Sequence, residues 1–247
     1  MGVYTYHGIK IIMKIAALGD IHVKENSQGL YTALFEKISS SADVLLLAGD
    51  LCDLGLPTEA KVLASEFKSL RIPVVGVLGN HDYQSGKEEE VKKILTEGGM
   101  KVLGTEPFEM DGVGFAGVKG FCGGYEKYSL GSFGEKLYKD LVQMTLDESL
   151  ALENQIKQIE SEKKVAIMHY SPVRDTLEGE PLEIYPFLGS SRFIDPIDNL
   201  NVNLVFHGHA HHGSHLGRTP KGIPVYNVSY PIMQNINPDQ PFAVVEL

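Results

Sequence analysis

Three short apolar runs in the first third of the chain, each followed closely by a glycine, constrain the fold most strongly. They are Lys14–Leu18, Val44–Ala48 and Val74–Leu78. Continuous apolar runs of this length, rich in branched residues, are typical of strands that are buried on both faces. The segments between them have apolar residues at helical spacing: Leu30, Leu34 and Ile38 in the first, and Ala60, Leu63, Ala64 and Phe67 in the second. This alternation predicts a β-α-β-α-β arrangement and a largely parallel sheet.

The rest of the chain predicts a second, more β-rich part. Phe108–Met110 and Val113–Val118 flank Asp111-Gly112, which is typical of a tight hairpin turn. Helical patterns cover Glu88–Thr96 and Glu135–Lys163, the second of which has room for one break. Four more strands are predicted at Val165–Met168, Val202–Phe206, Pro224–Val228 and Phe242–Glu246. Lys119–Gly134 and Ser171–Ser191 lack a period and are predicted loops.

Chain length and composition favour one domain. The chain has 247 residues, of which 43% are hydrophobic, and we find no linker that would divide it. Met13-Lys14 reads as a start that leads directly into the first strand. We therefore interpret residues 1–12 as an N-terminal extension and residues 13–247 as a single domain.

The charge balance and the cysteine content limit the partners and the compartment. The 32 acidic residues outnumber the 22 Lys and Arg residues, so the formal charge of −10 argues against nucleic acid as a partner. Cys52 and Cys122 are too few to form a disulfide framework, which fits a reducing cytoplasm. The N-terminal run Ile9–Leu18 contains two lysines and is too short to span a bilayer, so no membrane span is expected.

Candidate metal ligands follow the predicted strands. Asp20, Asp50, Asn80 and His209 each come directly after a glycine at the end of an apolar run. Because the carboxyl ends of parallel strands meet at one edge of a sheet, we expect these side chains to share a site. The pairs Asp20-x-His22 and His209-x-His211 have a spacing that places both side chains on one face of extended backbone.

Together with His169, these positions form a set of four imidazoles, two carboxylates and one amide oxygen. The set is too large for one ion that keeps an open coordination position, so it implies two metal ions. Mixed nitrogen and oxygen ligands suit Mn, Fe, Zn, Co or Ni better than Ca or Mg.

Five sequence blocks carry a resemblance to a known family. DxH stands at 20–22, GDxxD at 49–53, GNHD at 79–82, a single histidine at 169, and GHxH at 208–211. With these blocks in order, the chain resembles the calcineurin-like metallophosphoesterase superfamily from about Lys14 to its C-terminus. It looks most like the small prokaryotic phosphodiesterase-type members. The resemblance implies an α/β fold, a four-layer α/β/β/α sandwich of two mixed sheets flanked by helices.

The resemblance also implies roles for the motif residues. One divalent metal would be held by Asp20, His22 and His211, the other by Asn80, His169 and His209, with Asp50 bridging both. His81 would lie over the substrate as the catalytic group, and Asp53 would orient its other nitrogen. Two such ions lower the pKa of a bridging water toward about 7, so that a metal-bridged hydroxide attacks phosphorus.

Two departures from the family pattern narrow the expected activity. Phosphoprotein phosphatases of the superfamily have an arginine after GDxxD and read GNHE, whereas this chain has Leu54 and Asp82. The sequence therefore predicts a hydrolase of a phosphodiester of a small or nucleotide-like substrate, with manganese as the ion expected to activate it in vitro. A phosphomonoesterase of the same fold and a non-catalytic metal-binding scaffold are the alternatives. The motifs leave the oligomeric state open, and the two predicted loops would recognise the leaving group.

Overall fold

The computed structural model describes residues 12–247, so the predicted extension, residues 1–12, lies almost entirely outside the described residues. The strands are β1 (Lys14–Leu18), β2 (Val44–Ala48), β3 (Val74–Val77), β4 (Met100–Val102), β5 (Phe108–Met110), β6 (Val113–Val118), β7 (Lys163–Met168), β8 (Leu204–His207), β9 (Leu216–Arg218), β10 (Pro224–Asn227) and β11 (Ala243–Glu246). The α-helices are α1 (Thr32–Ser41), α2 (Pro57–Glu66), α3 (Glu88–Glu97), α4 (Lys136–Gln158), α5 (Tyr185–Leu188), α6 (Ile194–Asn199) and α7 (Tyr230–Ile236).

The first sheet has the order β11-β1-β2-β3-β4. β1 to β4 are parallel neighbours, with Ala17 opposite Leu46 and Leu46 opposite Val75. β11 returns from the end of the chain and pairs antiparallel with β1. All residues of β2 and β3 are buried, as expected for strands that are covered on both faces.

The second sheet has the order β5-β6-β7-β8-β10-β9. Its four central strands are parallel, and the edge strands β5 and β9 are antiparallel to their neighbours. β5 and β6 form the predicted hairpin, and Asp111 and Gly112 in its turn have φ values of 48° and 79°. Both sheets are therefore mixed.

Three apolar cores separate four layers of secondary structure. α1, α2 and α3 pack on the outer face of the first sheet through side chains such as Phe35, Leu63 and Val91. The two sheets face each other across a second core that contains Leu46 and Phe206. A third core joins the other face of the second sheet to helices of the later part of the chain, with Leu152 and Ile156 of α4, and Ile197 of α6. The fold is the predicted α/β/β/α sandwich.

Some elements differ from the prediction in detail. α4 is one continuous helix of 23 residues, without a break. Leu30 precedes α1 and is 71% exposed, so only Leu34 and Ile38 of the predicted triplet lie on that helix. The predicted loop Ser171–Ser191 contains short helical turns and α5. None of the described helices combines the length and the apolar character that crossing a bilayer requires.

Candidate metal centre

The seven predicted metal ligands lie beyond the carboxyl ends of five strands. Asp20, Asp50 and Asn80 follow β1, β2 and β3 of the first sheet, while His169 and His209 follow β7 and β8 of the second. His22 and His211 come two residues after Asp20 and His209. Because the facing sheets present these strand ends at the same edge, the ligands converge from both sides of the sandwich.

The ligand loops have left-handed backbone rather than the extended backbone that the two-residue spacing suggested. The φ values of Asp20, His22, Asp50 and His209 are 56°, 44°, 49° and 69°. Asp and His tolerate this region better than most residues, but the conformation is uncommon outside glycine. Hydrogen bonds between the loops hold it: the Asp20 amide donates to the Gly49 carbonyl at 2.9 Å, and the His22 amide to the Asp50 carbonyl at 3.1 Å.

One group of candidate ligands consists of Asp20, His22 and His211, with ligand atoms within 4.8 Å of one another. His211 Nε2 lies 3.0 Å from Asp20 Oδ1, and this hydrogen bond raises the pKa of His211 despite its partial burial. Both ring nitrogens of His22 are buried and have no hydrogen-bond partner among the described residues. An unpartnered buried nitrogen is costly unless it binds a group such as a metal ion.

The second group consists of Asp50, His169 and His209, whose ligand atoms also lie within 4.8 Å of one another. His169 Nδ1 donates to the Ala48 carbonyl at 2.9 Å, so its Nε2 is left to face Asn80 Oδ1 at 2.9 Å and Asp50 Oδ1 at 3.3 Å. His209 Nε2 lies 3.3 Å from the Phe187 carbonyl, which leaves Nδ1 free to bind an ion. Such carbonyl contacts fix the ring orientation of metal-binding histidines.

Burial and neighbouring charges shift the pKa values of all three side chains in this second group. Burial opposes a charge on His169, but the Asp50 carboxylate outweighs it and raises the pKa of His169 to about 9. Burial likewise acts against ionisation of Asp50, yet the charge of His169 and hydrogen bonds from His169 and the His81 amide hold the pKa of Asp50 well below its usual range. Burial lowers the pKa of His209 to about 3. The Asp50 carboxylate thus favours positive charge at His169 Nε2, a candidate ligand atom.

Asp50 lies between the two groups. Its Oδ1 faces His169, and its Oδ2 lies 3.9 Å from His22 Nε2 in the other group. Its orientation is fixed because the His81 amide donates to Oδ1 at 2.8 Å. A carboxylate in this position could contact an ion in each group, as the resemblance implies for Asp50.

His81 and Asp53 lie beside the first group, but they contact each other differently from the prediction. His81 Nδ1 donates to the main-chain carbonyl of Asp53 at 2.6 Å, not to its carboxylate. The Asp53 carboxylate instead lies 3.8 Å from His22 Nδ1 and 3.6 Å from Lys24 Nζ. The rings of His81 and His22 are 4.4 Å apart and edge to face. Since the carbonyl can only accept, Nε2 is the nitrogen of His81 that is available for proton transfer.

Sequence reasoning assigned no role to Asp82, which connects two ligand loops. Its buried carboxylate accepts hydrogen bonds from the amides of Gly79 at 2.8 Å, Cys52 at 2.8 Å and Leu51 at 3.2 Å. Burial raises its pKa to about 6, although these hydrogen bonds favour the charged form. Asp82 therefore fixes the GDxxD loop relative to the GNHD loop.

Tyr170 and Lys119 were also missed, and they lie next to the second group. The Tyr170 ring is 4.4 Å from the His209 ring and 5.4 Å from the His169 ring. Lys119 directly follows β6, the neighbour of β7, and its carbonyl accepts from the His169 amide at 3.0 Å. The signal that identified the ligands, a polar residue after a parallel strand, also applies to Lys119.

The residues present fit two divalent metal ions. Two groups of nitrogen and oxygen donors lie side by side, with Asp50 between them. The ring nitrogens of His22 have no hydrogen-bond partner among the described residues, so they are available to an ion. The donor set is the mixed type that Mn, Fe, Zn, Co or Ni favours. The placement of all seven predicted ligands is thus consistent with the predicted assignment.

Comparison with solved structures shows the same fold in several proteins. A phosphopantetheinyl hydrolase from Mycobacterium tuberculosis superposes with a TM-score of 0.67 at 15% identity, covering 94% of this chain and 95% of that one. The protein TT1561 of Thermus thermophilus superposes with a TM-score of 0.52 at 17% identity, covering 89% of this chain and 90% of that one. GAP50, the anchor in the inner membrane complex of Plasmodium, gives 0.53 at 13% identity, covering 90% and 73%. At these identities the likeness shows the fold alone.

The sequence itself identifies the family. A search among curated proteins gives no match. The family model described as calcineurin-like phosphoesterase, however, matches residues 13–213, which include every predicted ligand. With that match and the fold described above, the chain belongs to the calcineurin-like phosphoesterase family.

Proposed function

We propose that the protein hydrolyses a phosphodiester of a small or nucleotide-like substrate, with two divalent metal ions held by the seven ligands described above. The family binds two divalent metal ions and acts on phosphoric esters. The single observation that carries the proposal is the pair of ligand groups joined by Asp50, with His81 beside them. Two bound cations would acidify a coordinated water and neutralise charge on the phosphoryl oxygens.

The side chains of the protein supply positioning and proton transfer. In the hydrolysis, water would lose a proton to the solvent as its oxygen bonds to phosphorus, the phosphorus–oxygen bond to the leaving group would break, and the departing oxygen would take up a proton. His81 is placed to give that proton from Nε2, because its Nδ1 is committed to the Asp53 carbonyl. The main-chain carbonyl of Asp53, rather than the predicted carboxylate, thus orients His81. The Asp53 carboxylate lies near His22 and Lys24 instead.

A diester fits the charges of the site better than a monoester. A monoester dianion carries one more negative charge than a diester and gains most from an arginine clamp. The cavity beside Asn80 has no arginine in its wall, among the residues that the structure describes. Leu54, at the position where protein phosphatases have arginine, is half exposed and brings no charge. Manganese is the ion that we propose for first reconstitution.

The test compares a chromogenic diester with the matching monoester, bis(4-nitrophenyl) phosphate and 4-nitrophenyl phosphate. The protein is stripped of metal, reloaded with Mn²⁺, Zn²⁺, Fe²⁺, Co²⁺ or Ni²⁺, and its metal content is measured. Metal-dependent turnover that favours the diester is expected. Asp50→Ala should lose both the metals and turnover, while Asp140→Ala, on the exposed face of α4, should keep both.

The other outcomes are equally informative. A preference for the monoester would replace the diester proposal with a phosphomonoesterase. Full metal occupancy without turnover of either ester would show that the chain is a metal-binding scaffold.

A further inference from the structure

A cavity of about 590 Å³ opens beside the second group of ligands. Asn80 connects this group to the cavity, because its Oδ1 faces His169 and the residue also lines the cavity. The volume is within the range of roughly 300–1,000 Å³ that is usual for small-molecule sites. The organic group of an ester whose phosphorus is bound at the metal centre would therefore extend into this cavity.

The ammonium group of Lys119 lies among three aromatic rings in the cavity. Its Nζ is 4.6 Å from the ring centre of Phe121, 5.3 Å from that of Tyr170 and 5.4 Å from that of Tyr83. It donates one hydrogen bond, to the Gly120 carbonyl at 2.9 Å, and no carboxylate among the described residues lies within 4 Å of it. Burial lowers the pKa of Lys119, so this cation is held away from water. Two of its three N–H groups are available to a ligand.

Glu148 of α4 supplies an acceptor on the same wall. Its Oε2 accepts from the Gly120 amide at 3.0 Å, and its Oε1 has no hydrogen-bond partner among residues 12–247. Lys119 and Glu148 therefore offer a donor and an acceptor to one bound molecule, and the rings of Phe121 and Tyr170 offer apolar faces.

The charges of the cavity argue against a second anion as its occupant. Two lysines line it, Lys92 and Lys119, against three acidic residues, Glu89, Asp147 and Glu148. The remaining wall is largely apolar, with side chains such as Leu103 and Met144. An uncharged planar ring that has both donor and acceptor edges matches this combination of aromatic faces, one cation and one carboxylate.

We propose that this cavity binds the nucleobase of a nucleotide ester, and that Lys119 and Phe121 set this preference. The inference rests on the proposed phosphodiesterase function and names its substrate class. Phe121 would stack on the base, and Lys119 would donate to a ring nitrogen or carbonyl oxygen of it.

The first experiment measures binding of two phosphomonoesters, which a phosphodiesterase does not hydrolyse. Titration calorimetry on the Mn²⁺-loaded protein compares adenosine 5′-monophosphate with ribose 5-phosphate, which has a hydroxyl group in place of the base. We expect the nucleotide to bind about tenfold or more tightly, since stacking of one base on an aromatic ring contributes about 1–3 kcal/mol. Lys119→Met and Phe121→Leu should reduce this difference several-fold while the metal content stays unchanged.

The second experiment measures hydrolysis of the methyl esters of the same two compounds, with the products separated by chromatography. The nucleotide ester should have the lower KM, and both variants should raise that KM more than they change kcat. Lys127→Met is the matched control, because Lys127 also lies over a tyrosine ring, that of Tyr128 at 5.0 Å, but is exposed and outside the cavity.

The outcomes separate this inference from the function on which it rests. Equal affinities for the two phosphates, or variants that bind the nucleotide as tightly as the original protein, would overturn the nucleobase site even if both esters are hydrolysed. If neither ester is hydrolysed at full metal occupancy, the proposed function fails, and the calorimetric comparison alone decides whether the cavity recognises a base.

Discussion

Four of the seven ligand residues, Asp20, His22, Asp50 and His209, have left-handed backbone. Each such residue costs about 1–3 kcal/mol relative to a relaxed conformation, and the surrounding structure must compensate for it. Here the compensation comes from hydrogen bonds between the loops after β1 and β2. The benefit is orientation, because the turns bring the Asp20 carboxylate to His211 and the Asp50 carboxylate to His169, both of which follow strands of the second sheet.

The sequence predicts which polar side chains meet at the strand ends, but it predicts their surroundings poorly. Six of the seven proposed ligands belong to short motifs, and His169 directly follows an apolar strand, so local patterns are enough to single them out. The Phe187 carbonyl that contacts His209 belongs to no motif and arrives there through the path of a long loop. The Tyr170 ring beside His209 directly follows His169, but no spacing pattern marks it. The choice of carbonyl over carboxylate at Asp53 likewise depends on loop geometry that spacing does not determine.

Replacement of His81 tests its assigned role in proton transfer. His81→Ala should keep both metal ions, because the contact of residue 81 with Asp50 comes from its amide and not from its ring. The substitution should lower kcat by about 10²–10⁴-fold. The measurement is steady-state hydrolysis of the chromogenic diester, with metal content determined on the same sample. A fully active His81→Ala protein would rule out the role of His81 as proton donor.

His207 makes stability depend on pH. It is fully buried, with Nε2 2.8 Å from Thr176 Oγ1, and burial lowers its pKa to about 4. The charged or titratable groups that act on it are Asp20, His169 and His215. Since its pKa is about 6.5 when unfolded, the unfolded chain takes up a proton first. Stability from His207 is present above pH 6.5 and is lost as pH falls toward 4, by about 3 kcal/mol at most.

Urea unfolding of the metal-free protein between pH 7 and 4 measures this loss. In His207→Gln, whose amide can replace both hydrogen bonds, the free energy of unfolding should fall less steeply over that range. Parallel pH profiles for the two proteins would exclude His207 as the source.

At the scale of secondary structure, the presence of an apolar run or a turn signal decides what the sequence can predict. β1 and β2 are predicted with their correct bounds because each is a continuous apolar run. β4 and β9 have only three residues each, with Lys101 and Arg218 among them, and neither is predicted. β4 and β9 form because they pair with the neighbouring strands β3 and β10. The residue pattern of a three-residue segment carries no information about such pairing.

A glycine between β3 and Asn80 keeps two ligand loops in contact. A methyl group on Gly79 would collide with the amide nitrogen of Asp50 and with Oδ1 of its carboxylate, the group proposed to bridge the two ions. Gly79→Ala should therefore displace Asp50 and lower metal affinity by about 10–100-fold, as loss of other supporting contacts at metal sites does. Gly131→Ala is the control, since a methyl group there meets nothing within 4 Å. Competition with a fluorescent chelator measures the metal affinity of both variants. Equal affinities would contradict the role of Gly79 in positioning Asp50.

For the whole molecule, the proposed metal centre would link the two sheets. The loops after the first sheet provide Asp20, His22, Asp50 and Asn80, and those after the second provide His169, His209 and His211. Bound ions should therefore stabilise the sandwich as a unit. Metal at about 100 times its dissociation constant adds about 2.7 kcal/mol, which corresponds to a rise in Tm of about 5–10 °C.

Calorimetric melting of the metal-stripped and reloaded protein checks this rise. Asp50→Ala should melt at the same temperature with and without added metal. An unchanged Tm for the original protein at measured full occupancy would mean that the ions do not bridge the two sheets.

The proposed domain boundary at Met13 also belongs to this scale. Met13 is buried, and its amide and carbonyl pair with the carbonyl and amide of Leu247 at 3.0 Å. We propose that residues 1–12 are an extension, so a protein that starts at Met13 should have the same Tm and the same kcat/KM. Calorimetry and the diester assay measure the two; a fall in either would place residues 1–12 in the functional domain.

The pairing of β1 with β11 has a consequence for biosynthesis. β1 acquires its neighbour β11 only when residues 243–246 have been translated. The ligands span positions 20 to 211 in the same way, so a nascent chain carries Asp20 and Asp50 long before His169 and His211 exist to complete their groups. If these residues hold the ions as proposed, neither group can be completed before His209 and His211 have been translated, so the ions would bind after both sheets have received most of their strands.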